Sequence, residues 1–366
     1  MMFELVLRNV LHRPIRTLIT VLAVAVEVIM VLTVVGLTTG FVTDSARRVE
    51  GVGADIMVQP PSASIFMAFS GAPMPIRLGE KLAELKYVRY VAPVLVQFNS
   101  SGRLDIVFGI DPRSFNQVSG GFVFHEGHDM ENSNDILVDD WYAKAKSLHA
   151  GDTLHLLEHD FHVAGVVEHG KGARLFVEIK TLQDLAGAQD KASIFFIKCE
   201  RPDDTDTVTG EIRALLPRYE IRPVKDYMSQ MTSSNLPGLS TFVNVMIGLA
   251  VSIGFMVIFL SMYTTILERT REIGVLKSLG ASKAYIVRVV LSETTLLCAA
   301  GSLVGVVLSF LIVHTLVSAF PTLVILIRAD WVIRACGIAI VGGLLGAAYP
   351  AWLASRRDAV EALAYE

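Results

Sequence analysis

The segment Leu239–Leu267, LSTFVNVMIGLAVSIGFMVIFLSMYTTIL, contains no charged residue in 29 consecutive positions. A helix needs about 20 apolar residues to cross the hydrocarbon core of a bilayer. This stretch therefore predicts a membrane-spanning helix at residues 239–267.

Three other segments have the same apolar character. Residues 17–42 are apolar except for Glu27, the uncharged run 294–327 predicts a span at 289–317, and residues 332–353 carry only Arg334. Apolar residues make up 52% of the chain and charged residues only 19%, whereas an average soluble chain has about 25% charged residues. The sequence thus predicts one span, a large insertion and then three spans.

Basic residues lie beside one set of span ends, as the positive-inside rule describes for the cytoplasmic side. They are Arg8, Arg13, Arg16, Arg269, Arg271, Lys277, Lys283, Arg288, Arg356 and Arg357. Both ends of the chain are therefore predicted to be cytoplasmic. Residues 1–16 show apolar and polar faces at helical spacing, which is typical of a helix in the membrane interface. The alternative is that they are simply the start of the first span.

The insertion reads as a mixed α+β domain, because segments with strand and helix periodicity occur together. Residues 43–237 hold 20 Lys and Arg against 27 Asp and Glu. No basic stripe is present, so nucleic acid is not expected as a partner. Two subdomains are predicted, one of them inserted near 104–188. The predicted organisation is 1–16 interfacial helix, 17–42 first span, 43–238 extracytoplasmic domain, 239–267 second span, 268–288 cytoplasmic coupling helix, 289–317 third span, 318–331 outer turn, 332–353 fourth span and 354–366 tail.

No motif for catalysis or for a cofactor is evident. Three cysteines do not form a disulfide framework, and no G-x-x-x-x-G-K-[ST] sequence occurs to hold nucleotide phosphates. His155, His159, His162 and His169 are clustered, but 153–167 reads as a hairpin turning at 158–160, which would leave the first three exposed. The sequence therefore predicts neither a metal site nor an enzyme. The alternative is a membrane-anchored enzyme that uses the histidine cluster.

Two other features leave alternatives open. The uncharged stretch 62–76 is either a loop packed under the domain or a contact surface for a lipid-like substrate or a partner; its candidate contact residues are Ile65, Phe66, Met67 and Phe69. Glu27 should face protein or water, because a carboxylate is costly in hydrocarbon. Either an interhelical hydrogen bond, for example with Ser252, or a role in substrate or proton handling would explain it.

The loop between the second and third spans combines dense charge with an apolar pair. Val275 and Leu276 interrupt the charges, and Gly280 would end a short amphipathic helix at the membrane surface. The candidate coupling residues are Glu268, Arg269, Arg271, Glu272, Gly274, Val275, Leu276, Lys277, Gly280 and Ser282. The alternative is that the loop only anchors helix ends to lipid headgroups.

The same loop carries a family resemblance. ERTREIGVLKSLGAS at 268–282, with Glu293 downstream, resembles the signature of FtsX-like/MacB-type ABC transporter permeases, and YPAWLASRRDAVEALAYE at 349–366 is similar to the end of such chains. The one-plus-three arrangement of spans also resembles the family, whereas Glu27 departs from its usually small or apolar first span.

The resemblance implies a non-catalytic permease subunit in the bacterial inner membrane. Its expected partners are a cytosolic ABC ATPase, which would bind ATP and Mg, a second permease copy (identical or paralogous) and a periplasmic adaptor. The implied activity is mechanotransmission, in which ATP hydrolysis moves the outer domains to export or extract a lipid, lipoprotein, peptide or drug. The alternative is a signalling relay that activates a cell-wall hydrolase without transport.

Overall fold

The structure is a computed structural model that describes residues 14–61, 74–99, 105–230 and 237–356. All but the last three residues of the predicted interfacial helix lie outside this part of the chain. The candidate contact residues Ile65, Phe66, Met67 and Phe69 and the end of the tail lie outside it as well. The described chain divides into a helical unit, with residues 14–39, 238–319 and 325–356, and an inserted domain, with residues 40–237 and 320–324.

Within the described residues, four helices are long and apolar enough to cross a membrane. They are α1 (Pro14–Gly51), α8 (Pro237–Glu268), α10 (Lys283–Ala319) and α11 (Ala329–Arg356). A short helix, α9 (Thr270–Ser278), lies between α8 and α10. The predicted fold class, four membrane helices in a one-plus-three order with a large domain after the first, is confirmed.

The helices differ from the predicted segments mainly at their ends. The predicted coupling helix at 268–288 is too long, because Gly280 has a φ of +93° and ends α9. Residues 283–288 instead form the first turns of α10. Helix α1 continues nine residues past 42. Its backbone hydrogen bonds do not depend on apolar side chains, so the helix extends beyond the end of the apolar run.

Small residues bring the helices of the helical unit close together, as is common inside bilayers. A Cβ at Gly301 would lie 2.6 Å from Val24 Cβ, and one at Gly305 would lie 2.8 Å from the Ala25 carbonyl oxygen. In the second G-x-x-x-G pair, a Cβ at Gly346 would lie 2.8 Å from the carbonyl oxygen of Phe255. Both glycine pairs therefore pack helices of the same chain against each other.

Among the described residues, the inserted domain has ten strands in one mixed sheet and two more in a separate pair. The strands are β1 (Ile56–Gln59), β2 (Met74–Pro75), β3 (Val88–Asn99), β4 (Asp105–Ile110), β5 (Phe124–Gly127), β6 (Asp135–Asp139), β7 (Thr153–Leu156), β8 (His159–Val167), β9 (Leu175–Glu178), β10 (Lys191–Ala192), β11 (Ile194–Cys199) and β12 (Glu220–Pro223). The order is β12-β1-β11-β3-β4-β9-β6-β8-β5, with β7 beside β8 and a separate β10-β2 pair.

Short helices cover the sheet. They are α2 (Leu78–Ala83), α3 (Pro112–Ser119), α4 (Asp140–Lys146), α5 (Ile179–Leu185), α6 (Thr205–Leu215) and α7 (Val224–Gln230), with one 3₁₀ turn at Pro202–Asp204. Aromatic side chains fill one core, where the Phe176 ring centroid lies 6.1 Å from that of Phe108 and 4.9 Å from that of Phe122.

The strands of the predicted insertion at 104–188 form one continuous half of this sheet. Strand β4 joins them to the other half by antiparallel pairing with β3, from Val94 opposite Ile110 to Asn99 opposite Asp105. The predicted hairpin at 153–167 is present, but its turn lies at Leu157 and Glu158 and not at 158–160. Both turn residues have positive φ, +53° and +61°, a conformation that their residue types do not signal.

A buried charged cluster lies in the inserted domain. Arg174 Nη1 is 3.5 Å from Asp139 Oδ2, and Arg174 Nη2 is 3.6 Å from Asp44 Oδ2. Arg48 Nε is 3.1 Å from the same Asp44 oxygen. Asp139 is 1% exposed, and its Oδ1 accepts a hydrogen bond from the Tyr142 backbone N–H at the start of α4. Burial raises the pKa of Asp139 to about 6, although Arg174 and the Tyr142 hydrogen bond oppose that rise.

This pKa gives the stability of the domain a defined pH dependence. The folded-state pKa of Asp139 exceeds its ordinary value of 3.8, so the folded state binds the proton more tightly than the unfolded state does. Stability contributed by the protonated form is therefore present below pH about 4 and is lost as the pH rises through about 6. Each pKa unit corresponds to ~1.4 kcal/mol, so the free energy of unfolding should fall by roughly 3 kcal/mol across this pH range. We expect chemical denaturation of the full chain in detergent to show this fall relative to Asp139→Asn.

Asn at position 139 keeps the cap on α4 but cannot titrate, which makes Asp139→Asn the matched reference. A difference between the two proteins that is constant from pH 4 to pH 7 would contradict the assignment.

Candidate functional site

Helix α9 begins directly after α8 and ends in a hydrogen-bonded cap. The Gly280 N–H donates to the Lys277 carbonyl at 3.0 Å, and the Ala281 N–H donates to the Leu276 carbonyl at 3.0 Å. Glycine at the left-handed position of this cap is the usual way to end a helix. The Ser282 hydroxyl then accepts the Tyr285 N–H at 3.2 Å and caps the start of α10. Gly280 and Ser282 therefore fix the two bends that set α9 apart.

Three polar ties connect the α9 region to the membrane helices. Arg16 on α1 lies 3.2 Å from Glu268 at the end of α8, and it also donates to the Ser261 carbonyl and the Thr264 hydroxyl. The three polar ties are the pairs Arg16–Glu268, Arg269–Glu293 and Lys277–Ser355.

The second tie is an ion pair with a buried carboxylate. Arg269 Nη1 donates to Glu293 Oε2 on α10 at 3.2 Å, and Arg269 Nε lies 3.1 Å from Glu272 on α9. The Glu293 side chain is 11% exposed, whereas that of Glu272 is 66% exposed. In the third tie, Lys277 Nζ donates to the Ser355 carbonyl on α11 at 2.8 Å. Each of the four membrane helices is thus bonded at this end to α9 or to a residue beside it.

The apolar residues of α9 divide between an exposed face and an internal cavity. Val275 is 43% exposed and Leu279, four residues later on the same helical face, is 80% exposed. Leu276 is half-buried and faces a cavity of about 70 Å³ between α8, α9 and α10. Residues lining this cavity include Ile266, Ile273, Leu276, Tyr285, Ile286 and Val290. The predicted apolar pair is therefore split: Val275 is exposed together with Leu279, whereas Leu276 faces the cavity.

The remaining predicted coupling residues are polar and exposed, or small. Arg271 is exposed on α9, and Gly274 is buried in the same helix. The sequence analysis missed Leu279, although its spacing of four from Val275 was a usable signal. It also missed the Lys277–Ser355 contact, because no pattern in the sequence reports a partner 78 residues away.

Glu27 is 5% exposed inside the helical unit. A Cβ at Gly254 on α8 would overlap its Oε2 atom, so glycine there makes room for the carboxyl group. Among the described residues, none donates a hydrogen bond to Oε1. The Ser252 hydroxyl, suggested as a partner, instead donates to the Gly248 carbonyl of its own helix at 2.8 Å. Glu27 therefore faces protein, as expected, but by a different contact.

The histidines of the inserted domain lie on its surface. His155 Nδ1 is 2.7 Å from Asp160 across the β7–β8 hairpin, and His169 stacks on Trp141 with ring centroids 4.1 Å apart. Among the described residues, no three His, Cys, Asp or Glu side chains converge in a metal-binding arrangement. His149, His155 and His169 instead lie within hydrogen-bonding distance of carboxylates, and His159 Nε2 is 3.0 Å from the Asn134 side-chain oxygen.

Among the described residues, four helices long and apolar enough to span a membrane, a large domain after the first and a separately capped helix between the second and third are the arrangement of a polytopic membrane protein. Residues 17–215 match the MacB-like periplasmic core domain, and residues 244–359 match the C-terminal domain of FtsX-like permeases. The chain therefore belongs to the family of MacB-like, FtsX-like ABC transporter permeases.

Individual relatives are similar over most of this chain. The "Macrolide export ATP-binding/permease protein MacB" of Sodalis glossinidius is 26% identical over 97% of this chain and 59% of the relative. A second MacB, from Shewanella sp. strain W3-18-1, is 23% identical over all of this chain and 60% of the relative. The "Uncharacterized ABC transporter permease MJ1507" of Methanocaldococcus jannaschii is 20% identical over 84% of this chain and 82% of that protein. The chain thus spans less than two thirds of the length of these MacB relatives.

Solved structures of extracytoplasmic domains are similar to about half of this chain. The crystal structure of the periplasmic region of MacB from Actinobacillus actinomycetemcomitans aligns with 50% of this chain and 95% of that chain. The TM-score is 0.40 and the sequence identity is 15%.

The two carboxylates that contact Arg269 allow a matched comparison. We expect Glu293→Gln to lower the free energy of unfolding by about 2 kcal/mol or more, because it removes the buried carboxylate that pairs with Arg269 and leaves the guanidinium only the exposed Glu272 as a charged partner. Glu272→Gln removes a carboxylate at a similar distance from an exposed position, and should cost less than about 1 kcal/mol. Denaturation of both variants in the same detergent measures the difference, and equal losses would contradict a structural role for the Arg269–Glu293 tie.

Proposed function

We propose that this chain is the permease subunit of a mechanotransmission ABC transporter, in which ATP hydrolysis by a separate ATPase moves the inserted domain. The observation that carries the proposal is the construction of α9. This helix presents Val275 and Leu279 outward, while the three polar ties join its region to α1, α8, α10 and α11. A force applied to the exposed face therefore has a bonded route to every membrane helix.

The exposed face suits a protein partner better than lipid headgroups alone. An apolar anchor surrounded by charges is the common form of an interface hot spot and its rim. Leu279 supplies the anchor, and the exposed Arg271 and Glu272 supply the rim. The partner proposed for this surface is a cytosolic ABC ATPase. ATP and Mg would be bound by that ATPase, since this sequence contains no phosphate-binding G-x-x-x-x-G-K-[ST] motif.

The proposed location is the bacterial inner membrane, with both ends of this chain and α9 in the cytoplasm. The support is the set of basic residues beside the span ends, including Arg16, Arg271 and Lys283. The inserted domain would then lie on the periplasmic side. Its net negative charge does not oppose this orientation, because acidic residues contribute little to topology.

The proposed cargo is hydrophobic or amphipathic, exported or extracted by movement of the outer domains. The MacB relatives are named for macrolide export, which supports an amphipathic class of substrate. A second permease copy and a periplasmic adaptor are proposed as further partners. Both G-x-x-x-G pairs are occupied within the chain, so a second copy would contact a different surface.

Leu279→Asp tests the proposed contact with the ATPase. The variant places a charge at the most exposed apolar position of the α9 region, outside the internal packing. We expect the ATPase activity of the protein that copurifies with this chain from its native membranes to fall about tenfold or more. The reason is that loss of a buried anchor costs roughly 2 kcal/mol of binding free energy. The stability of the chain itself should change by less than about 0.5 kcal/mol.

Leu276→Asp is the matched control on the same helix. Because Leu276 faces the internal cavity, this variant should destabilise the helical unit as well as reduce ATP hydrolysis. The proposal fails if Leu279→Asp retains full association with an ATPase, or if the purified chain hydrolyses ATP without a second protein.

A further inference from the structure

Arg174 occupies a junction of three chain segments in the inserted domain. Its Nη2 atom donates to the Thr322 carbonyl at 3.0 Å and lies 3.6 Å from Asp44 Oδ2. Its Nη1 atom lies 3.5 Å from Asp139 Oδ2. One guanidinium therefore contacts the far part of α1, the turn between α10 and α11, and the end of β6.

These contacts are made in a mostly buried setting. The Arg174 side chain is 14% exposed, those of Asp44 and Arg48 are exposed to a similar extent, and that of Asp139 is 1% exposed. The guanidinium carbon also lies 5.4 Å from the centre of the Trp141 ring. A planar guanidinium presents its donors in a fixed fork, whereas lysine offers a single point charge. Only arginine can hold these groups together in this geometry.

The segment leading into β9 is fastened to α1 at a second point. The Gly172 N–H donates to the Arg48 carbonyl at 2.8 Å, and a Cβ at Gly51 would overlap the Gly170 carbonyl oxygen. On its other side, the Arg174 carbonyl accepts the Asp139 N–H at 2.8 Å. Residues 170–174 thus form a short bridge between α1 and the junction of β6 with α4.

Each partner of Arg174 is covalently continuous with a membrane helix or with the sheet. Asp44 and Arg48 belong to α1, which begins at Pro14. Thr322 belongs to the turn that joins α10 to α11. Asp139 ends β6, which pairs with both β8 and β9 near the middle of one half of the sheet.

We propose that Arg174 is the positioning residue that passes displacements of α1 and of the α10–α11 turn into the β6–β9 region of the inserted domain. The proposal rests on the proposed function, because it describes where motion of the membrane helices enters the outer domain. Arg174 acts by holding Asp44, Thr322 and Asp139 at fixed separations, so that none of the three moves without the others.

Hydrogen exchange of the full chain in lipid nanodiscs tests the proposal without an ATPase or nucleotide. The perturbation is Asp44→Asn on α1, and the readouts are amides of the α10–α11 turn (320–324) and of α4. In the otherwise unchanged chain, we expect Asp44→Asn to speed exchange at both readouts about fivefold, the effect of roughly 1 kcal/mol. In an Arg174→Lys background, the same Asp44→Asn change should add less than about 1.5-fold, because lysine cannot bridge the three groups.

Two controls separate transmission from a general loss of stability. Arg222→Lys alters another largely buried arginine, on β12 at the opposite edge of the sheet, where it pairs with Glu220 at 3.2 Å. In that background the effect of Asp44→Asn should remain about fivefold. Amides of β1 and β11 should exchange at unchanged rates in the Asp44→Asn and Arg174→Lys chains and in their combination, which shows that the domain stays folded. In the Arg222→Lys chain, whose changed residue lies opposite Met57 of β1, adding Asp44→Asn should not alter them further.

The proposal is overturned if Asp44→Asn leaves the turn and α4 unchanged in the parent chain. It is also overturned if the effect of Asp44→Asn is as large in the Arg174→Lys background as in the parent chain, because the displacement then travels by another route. Since no ATPase is present, these outcomes are independent of whether Leu279→Asp impairs ATP hydrolysis.

Discussion

The ion pair between Arg269 and Glu293 is the interaction on which the arrangement of the α9 region depends. It joins the residue at the start of α9 to a largely buried carboxylate on α10. A charge in such a site is stable only while its partner stays in place, since an unpaired buried ion costs several kcal/mol. The start of α9 therefore cannot move away from α10 at low cost. With Arg16 and Lys277 making the other ties, the short helix is attached to the whole helical unit.

The same principle applies in the inserted domain. Arg174 contacts the turn between α10 and α11, while its neighbours Asp44 and Arg48 lie on α1. Both polar clusters use arginine, whose fixed fork of donors can hold several groups at once. Within the helical unit, the membrane helices pack through small residues such as Gly301 and Gly305. Close backbone contact of this kind favours movement of the helices as packed bodies.

The features that could be predicted from the sequence depend on composition and on periodicity. Four apolar runs predict four spans because lipid requires each run to satisfy its backbone hydrogen bonds as a helix. Gly280 signals the end of α9 for a local steric reason. Long strands such as β3 and β4 have enough residues to show their pattern. Strands β2, β6 and β12, with two to five residues each, show too little of the pattern to be recognised.

The features that could not be predicted depend on contacts distant in the chain. The inward direction of Leu276 depends on α8 and α10, whose residues line the cavity that it faces, and the sequence around Leu276 does not report those neighbours. The carboxyl group of Glu27 has space because Gly254 carries no side chain. No pattern in the sequence near Glu27 reveals this contact. The Arg174 cluster joins residues 44, 139, 174 and 322, and each of them alone resembles an ordinary surface charge or turn residue.

The central claim is that the exposed face of α9 contacts an ATPase and is not merely seated on lipid headgroups. The most direct measurement places a photo-crosslinking amino acid at position 279 of the full chain in its native membranes, with position 345 on the exposed apolar face of α11 as the reference. The account predicts a crosslink from position 279 to a protein that carries a nucleotide-binding motif and hydrolyses ATP, and no such product from position 345. Crosslinks from position 279 to lipid alone would contradict it.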